Sequence, residues 1–189
     1  VKANQLCEVD EAGAMPPVPE SRVAVVPPMF TDVSASLAHR HVDERFDDFA
    51  RQPMLPHQLS QLGPGVTWAD LDGDGWDDLV VGAGKGGSIA ALRNNQQGAF
   101  QPAVEPFLTQ PAARDFTTIL PWRRSSGAIG LIAAQSNYED KATDVPMVRL
   151  ADFAKRAFED SLPASTSGAG PMAMADVDGD GRLDLFVGG

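Results

Sequence analysis

"ADLDGDGWDDLVVGAGKGG", residues 69–87, joins two signals that lead to different folds. Residues 70–78 place carboxylates at loop positions 1, 3, 5 and 9, the pattern of a cation-binding turn. Residues 82–87 read G-x-G-x-x-G directly after the apolar run "DLVV", the pattern of a dinucleotide-binding turn. The first implies a metal-stabilised β scaffold, the second a cofactor enzyme on an α/β fold.

The acidic half recurs. "ADVDGDGRLDLFVGG" repeats it 106 residues later, with Asp176, Asp178, Asp180 and Asp184 in the places of Asp70, Asp72, Asp74 and Asp78. A hard cation such as Ca²⁺ takes about six to eight oxygen ligands, drawn from alternating loop positions. Position 7, Trp76 in one copy and Arg182 in the other, supplies a backbone carbonyl, and Gly75 permits the sharp turn. An EF-hand is excluded: the twelfth position holds Val81 or Val187 instead of Glu, and a β-branched run follows where a helix is required. A dockerin-like pair is excluded because its two loops lie close together in sequence.

The glycine half is weaker. A Rossmann turn opens a helix whose N-terminus holds a pyrophosphate. "SIAALRNN" is too short and too poor in helix formers, and reads as a strand. The P-loop form fails because Gly86 follows Lys85. The glycines are therefore expected to turn one strand back toward the next.

Half of the 106-residue offset is the length of one propeller blade, which calls for a middle copy. Leu79, Leu131 and Leu185 each open a similar apolar run, spaced by 52 and 54 residues. A gap-free register then puts Trp122, Arg124, Ser126 and Gly130 at the four carboxylate positions, so the middle copy keeps the strands and loses the ligands.

The chain has 189 residues, 43% of them hydrophobic, and a net charge of −11. Such acidity repels phosphate backbones and excludes nucleic acid as a partner. Nine of the 26 acids sit in the two loops, where only a cation relieves their repulsion. A single cysteine, Cys7, excludes an internal disulfide, and no apolar run is long enough to span a membrane. The chain opens on Val1 and stops inside "DLFVGG", which reads as a fragment; unpaired sheet edges then predict self-association or marginal stability.

Residues 1–29 are expected to be an irregular leader with a short strand over "SRVAVV", and 30–64 a long loop with one helical turn near 46–49. The segments 65–118, 119–170 and 171–189 follow as a calcium-loop blade, a metal-free blade and the start of another. His39, His41 and Asp43 alternate at period 2, which admits a zinc site, although polar loop residues bonding backbone account for them more simply. Trp68, Trp76 and Trp122 are expected in the core or between blades. No catalytic triad or Cys–His pair is arguable.

These expectations meet in a resemblance. "WADLDGDGWDDLVVGAGKGGSIAALRNNQQGAF" and "MADVDGDGRLDLFVGG" resemble FG-GAP/VCBS-type calcium-loop repeats, the blades of integrin-like propellers. "FDDFARQPMLPHQLSQLGPGVTWADLDGDG" further resembles bacterial relatives of cartilage acidic protein, which often carry an ASPIC/UnbV domain. The resemblance implies an all-β partial propeller and an extracellular, periplasmic or outer-membrane-associated setting. It implies a non-catalytic scaffold for a protein or glycan ligand. It also implies Ca²⁺ held by Asp70, Asp72, Asp74, Trp76, Asp78, Asp176, Asp178, Asp180, Arg182 and Asp184. The competing class is an enzyme: a nucleotide-dependent oxidoreductase built on Gly82, Gly84 and Gly87, or a propeller hydrolase or lyase with catalytic residues outside this piece.

Overall fold

The computed structural model describes residues 12–13, 29–61, 63–124 and 127–189. Most of the expected leader, including Cys7 and the strand over 21–26, lies outside them. The chain divides into two compact units, Val1–Asp32 and Val33–Gly189, and every described strand belongs to the second.

Two four-stranded antiparallel sheets and one hairpin follow in chain order, each connected strand to adjacent strand. The first sheet comprises β1 (Val66–Ala69), β2 (Asp78–Val81), β3 (Ala90–Asn94) and β4 (Phe100–Ala103). The second comprises β5 (Phe116–Arg123), β6 (Ile129–Gln135), β7 (Val148–Asp152) and β8 (Ala157–Asp160). β9 (Met172–Ala175) pairs with β10 (Asp184–Val187). The fold is thus nearly all β, built of meanders of the kind that form propeller blades, and no closed propeller is formed among the described residues.

Register reveals the repeat. Leu79 pairs with Trp68, Leu131 with Pro121 and Leu185 with Met174, so the three leucines hold the same place on the second strand of each hairpin. The gap-free reading of the middle copy needs one correction. Trp122 pairs with Gly130, as Ala69 pairs with Asp78, so Trp122 occupies the place of Ala69 and Arg123 that of Asp70. The middle connection is one residue shorter because backbone bonds close it: Arg124 N–H donates to Ala128 O and Gly127 N–H to Arg124 O. Ser126 lies outside the described residues.

β6 is buried on both faces, which explains its continuous apolar run. Leu131 and Ala133 face Val80 and Ala91 of the first sheet. Ile132 and Ala134 face Met172, with Met174 and Leu185 packed alongside. The sheets are joined by a repeated bond: Phe116 N–H, at the start of β5, donates to Ala83 O, and Ala169 N–H, ahead of β9, to Gln135 O. Gly65 lets these backbones touch, since a Cβ there would meet Thr118 Cα at 2.7 Å.

Segment 33–61 is ordered by its own contacts. A 3₁₀ turn over Ser34–Leu37 brings Leu37 against the outer cluster of Leu79, Val81 and Leu92. The expected helical turn falls slightly later, at α1 (Asp48–Arg51), because the Asp47 side chain caps it by accepting Ala50 N–H. Asp48 is fully buried; its carboxylate accepts Leu59 N–H, Ser60 N–H and Ser60 Oγ–H. Burial opposes ionisation of Asp48, but these bonds outweigh it and hold the carboxyl below its ordinary 3.8.

Trp68 and Trp76 depart from expectation. Each is about half exposed, Trp68 against Phe100 and Trp76 on the first acidic loop; Trp122 packs beside Met172 and Leu185.

Two measurements check this packing. Leu131→Ala should cost about 2–5 kcal/mol in denaturant unfolding, because the fully buried leucine serves two sheets. A depressed native pKa stabilises above the unfolded value and is lost as pH falls. Asp48→Asn should therefore melt below wild type at neutral pH, and the gap should narrow below 3.8.

Candidate metal sites

The two acidic loops have the same internal hydrogen bonds. Asp70 Oδ1 accepts Gly73 N–H and Asp74 N–H, and its Oδ2 accepts Gly75 N–H. Asp176 accepts Gly179, Asp180 and Gly181 N–H in the same way. Asp78 Oδ2 accepts Leu71 N–H at 3.0 Å, as Asp184 Oδ2 accepts Val177 N–H at 2.9 Å. Gly73, Gly75, Gly179 and Gly181 all adopt φ between 77° and 87°, a conformation that side chains resist.

This folding gathers three carboxylates per loop. Asp70, Asp72 and Asp78 bring ligand oxygens within 4.8 Å of one another, as do Asp176, Asp178 and Asp184. Asp74 and Asp180 lie outside those groups. Asp74 accepts Trp76 N–H and Gln96 Nε2–H, and Asp180 accepts Arg182 N–H. Gln96 and the Trp76 N–H hold the Asp74 carboxyl below its ordinary value. Trp76 and Arg182, predicted to act through their carbonyls, appear here as donors to the position-5 carboxylate.

The loops differ in their surroundings. Asp78 is buried, and Asn94 N–H of β3 donates to its Oδ1, whereas Asp184 is exposed. Burial pushes the Asp78 carboxyl up, the Asn94 and Leu71 N–H groups oppose this, and the charges of Asp72 and Asp74 push it further up. Arg93 Nε stands 3.6 Å from Asp72 Oδ2 and relieves part of that charge. An oxygen-only set of three carboxylates with excess negative charge fits a hard divalent cation.

The middle hairpin carries its cation in the chain. Gly130 stands where Asp78 stands in the first hairpin and pairs with buried Asp152, and Arg124 Nη2 reaches Asp152 Oδ2 at 2.8 Å. Arg124 also lies over the Trp122 ring. Burial opposes the Asp152 charge, but the Lys155 N–H, the Arg124 guanidinium and the Ala154 N–H prevail and hold its carboxyl below the ordinary value.

The glycine run is built for a different neighbour than phosphate. It leads into β3, a strand. Lys85 N–H donates to Asp115, Gly86 N–H to Ala112 O and Gly87 N–H to Gly84 O, so the amides that would cradle a pyrophosphate are engaged. Residues 42–44 cross the run instead: a Cβ on Gly84 would meet Asp43 Cβ at 2.6 Å, and one on Gly87 would meet Val42 O at 2.5 Å. The His39–His41–Asp43 zinc arrangement is not assembled. Asp43 groups with Asp115 and Glu139, and neither histidine joins them. Nothing in the sequence marks this grouping, since its members come from three distant segments.

Comparison with known families agrees with the first loop. Residues 62–100, which run from before β1 to the first residue of β4, match the FG-GAP repeat. The match does not extend to the VCBS, cartilage acidic protein or ASPIC/UnbV relationships. No match was found among curated proteins or solved structures. FG-GAP repeats suggest a β-propeller-type interaction module and often bind Ca²⁺. No helix among the described residues is long and apolar enough to cross a membrane.

Arg124→Gln should lower the melting temperature by the same amount in calcium and in EDTA, because the pair it breaks is internal to the chain. Differential scanning fluorimetry under both conditions checks this.

Proposed function

We propose that this chain is a calcium-stabilised propeller segment that serves as a non-catalytic scaffold for a protein or glycan ligand. The observation that carries the reading is the duplicated loop, with the same hydrogen bonds around Asp70 and Asp176 and the same three-carboxylate grouping. Asp70, Asp72 and Asp78 hold one ion, and Asp176, Asp178 and Asp184 another; Asp74 and Asp180 join by turning their carboxylates inward, with the Trp76 and Arg182 carbonyls completing the shells. Calcium supplies positive charge where backbone bonds alone leave carboxylates crowded together.

The same chemistry supports an extracellular, periplasmic or outer-membrane-associated setting. Exposed loops of this kind belong with the millimolar-class sites of extracellular modules, which fill only where calcium is abundant. With calcium at about one to ten times Kd, each site adds about 0.4–1.4 kcal/mol to stability.

EDTA should lower the melting temperature, and calcium should restore it. Asp72→Asn should weaken calcium binding measured by calorimetry while the chain stays folded. Identical melting with and without chelator would overturn the calcium role.

A further inference from the structure

Between the two four-stranded sheets lies a cavity of about 160 Å³. Ile89, Leu108, Phe116 and Phe158 give it apolar walls. The connection from β4 to β5 covers it, with exposed Gln110, Pro111 and Ala113 at the rim. The second sheet brings polar groups to the same space by strand alternation. Leu131, Ala133 and Gln135 share one face of β6, the face turned to the first sheet. Arg149 of β7 pairs with Ala133, so it stands on that face too, diagonal to Gln135. Both line the cavity.

Gln135 is only 5% exposed. Its backbone is satisfied, the N–H by Met147 O and the carbonyl by Ala169 N–H. Its side-chain amide makes no hydrogen bond among the described residues. Arg149 Nε is closed off from solvent and donates to nothing; exposed Asp160 stands 3.4 Å away without forming a hydrogen bond. The Arg149 guanidinium lies over the Phe158 ring, 5.1 Å from its centroid, which limits its orientation. Arg114 enters from the covering connection, where Asp140 meets its Nε at 2.6 Å. A guanidinium carries five N–H donors, so one carboxylate does not exhaust it. None of the residues lining the cavity is acidic, in a chain whose net charge is −11. Buried donors are normally satisfied, so Gln135 and Arg149 call for an acceptor from outside the chain.

We propose that this cavity binds a small free carboxylate with a short apolar body, held between the Arg149 guanidinium and the Gln135 amide. The planar, paired donors of a guanidinium match a carboxylate. The hydrocarbon part lies against Ile89, Leu108 and Phe116. Those walls have no donors for the further oxygens of a phosphate, which would be desolvated there without partners. The volume admits a few heavy atoms, which fits a short-chain acid. The site uses no residue of either acidic loop, and it goes beyond the proposed calcium role without resting on it.

Titration of the whole chain with butyrate tests this, followed by calorimetry and by the NMR signals of the Gln135 side-chain amide and Arg149 Nε–H. Butyrate should bind with a Kd of about 1 mM and shift both signals. Butyramide, its uncharged isostere, and inorganic phosphate should each bind about tenfold more weakly or not at all. Arg149→Gln should weaken butyrate binding about tenfold or more. Arg149 also packs on Phe158, so Gln135→Leu serves as the second variant should Arg149→Gln fail to melt cooperatively. It keeps the size of the side chain, removes the amide and should weaken binding about tenfold. Absence of butyrate binding by the wild-type chain, equal affinity for butyramide or phosphate, or unchanged affinity in a folded variant would overturn the site.

Discussion

The second strand of each four-stranded sheet is covered on both faces, and much of the architecture follows from that requirement. β6 is the clearest case, with Leu131 packed toward the first sheet and Ile132 toward β9 and β10. A lone meander would leave one of those faces in water. Stacking sheets face to face removes the cost, and the repeated bonds from Phe116 to Ala83 and from Ala169 to Gln135 set how each sheet follows the last. The hairpin loops then lie at the ends of the sheets, the first anchored to the core through Leu71 and buried Asp78 and the last exposed throughout.

Within that frame the loops solve one problem in two ways. A tight turn leaves N–H groups without partners, and Asp70 and Asp176 each collect three of them. Concentrating carboxylates for that purpose creates repulsion, which an ion would relieve under the proposed calcium role. The middle hairpin is shorter, satisfies its N–H groups with carbonyls, and needs one cation only for Asp152.

The local features were legible in the sequence. Continuous apolar runs, Asp-Gly turns and the spacing of Leu79, Leu131 and Leu185 are signals carried by neighbouring residues, and β2, β6 and β10 fall on them. What depends on distant contacts was not legible. The one-residue shortening of the middle loop is invisible until Trp122 is seen opposite Gly130. Trp76 reads as a core residue by type, yet it sits half exposed on a turn. The glycines of 82–87 reflect the passage of residues 42–44, some forty positions upstream. Asp43, Asp115 and Glu139 share no motif; only the packing of segment 33–61 on the sheets brings them together.

The Arg124–Asp152 pair has a consequence for where and when the chain matures. An ion is a property of the compartment, whereas a guanidinium is a property of the polypeptide. Under the proposed calcium role, the second sheet reaches its final form wherever the chain is made. Its neighbours gain the last part of their stability only on arrival in calcium-rich surroundings. Under that reading the second sheet needs nothing from its surroundings, while the stiffness of the two acidic hairpins reports the calcium level around the chain.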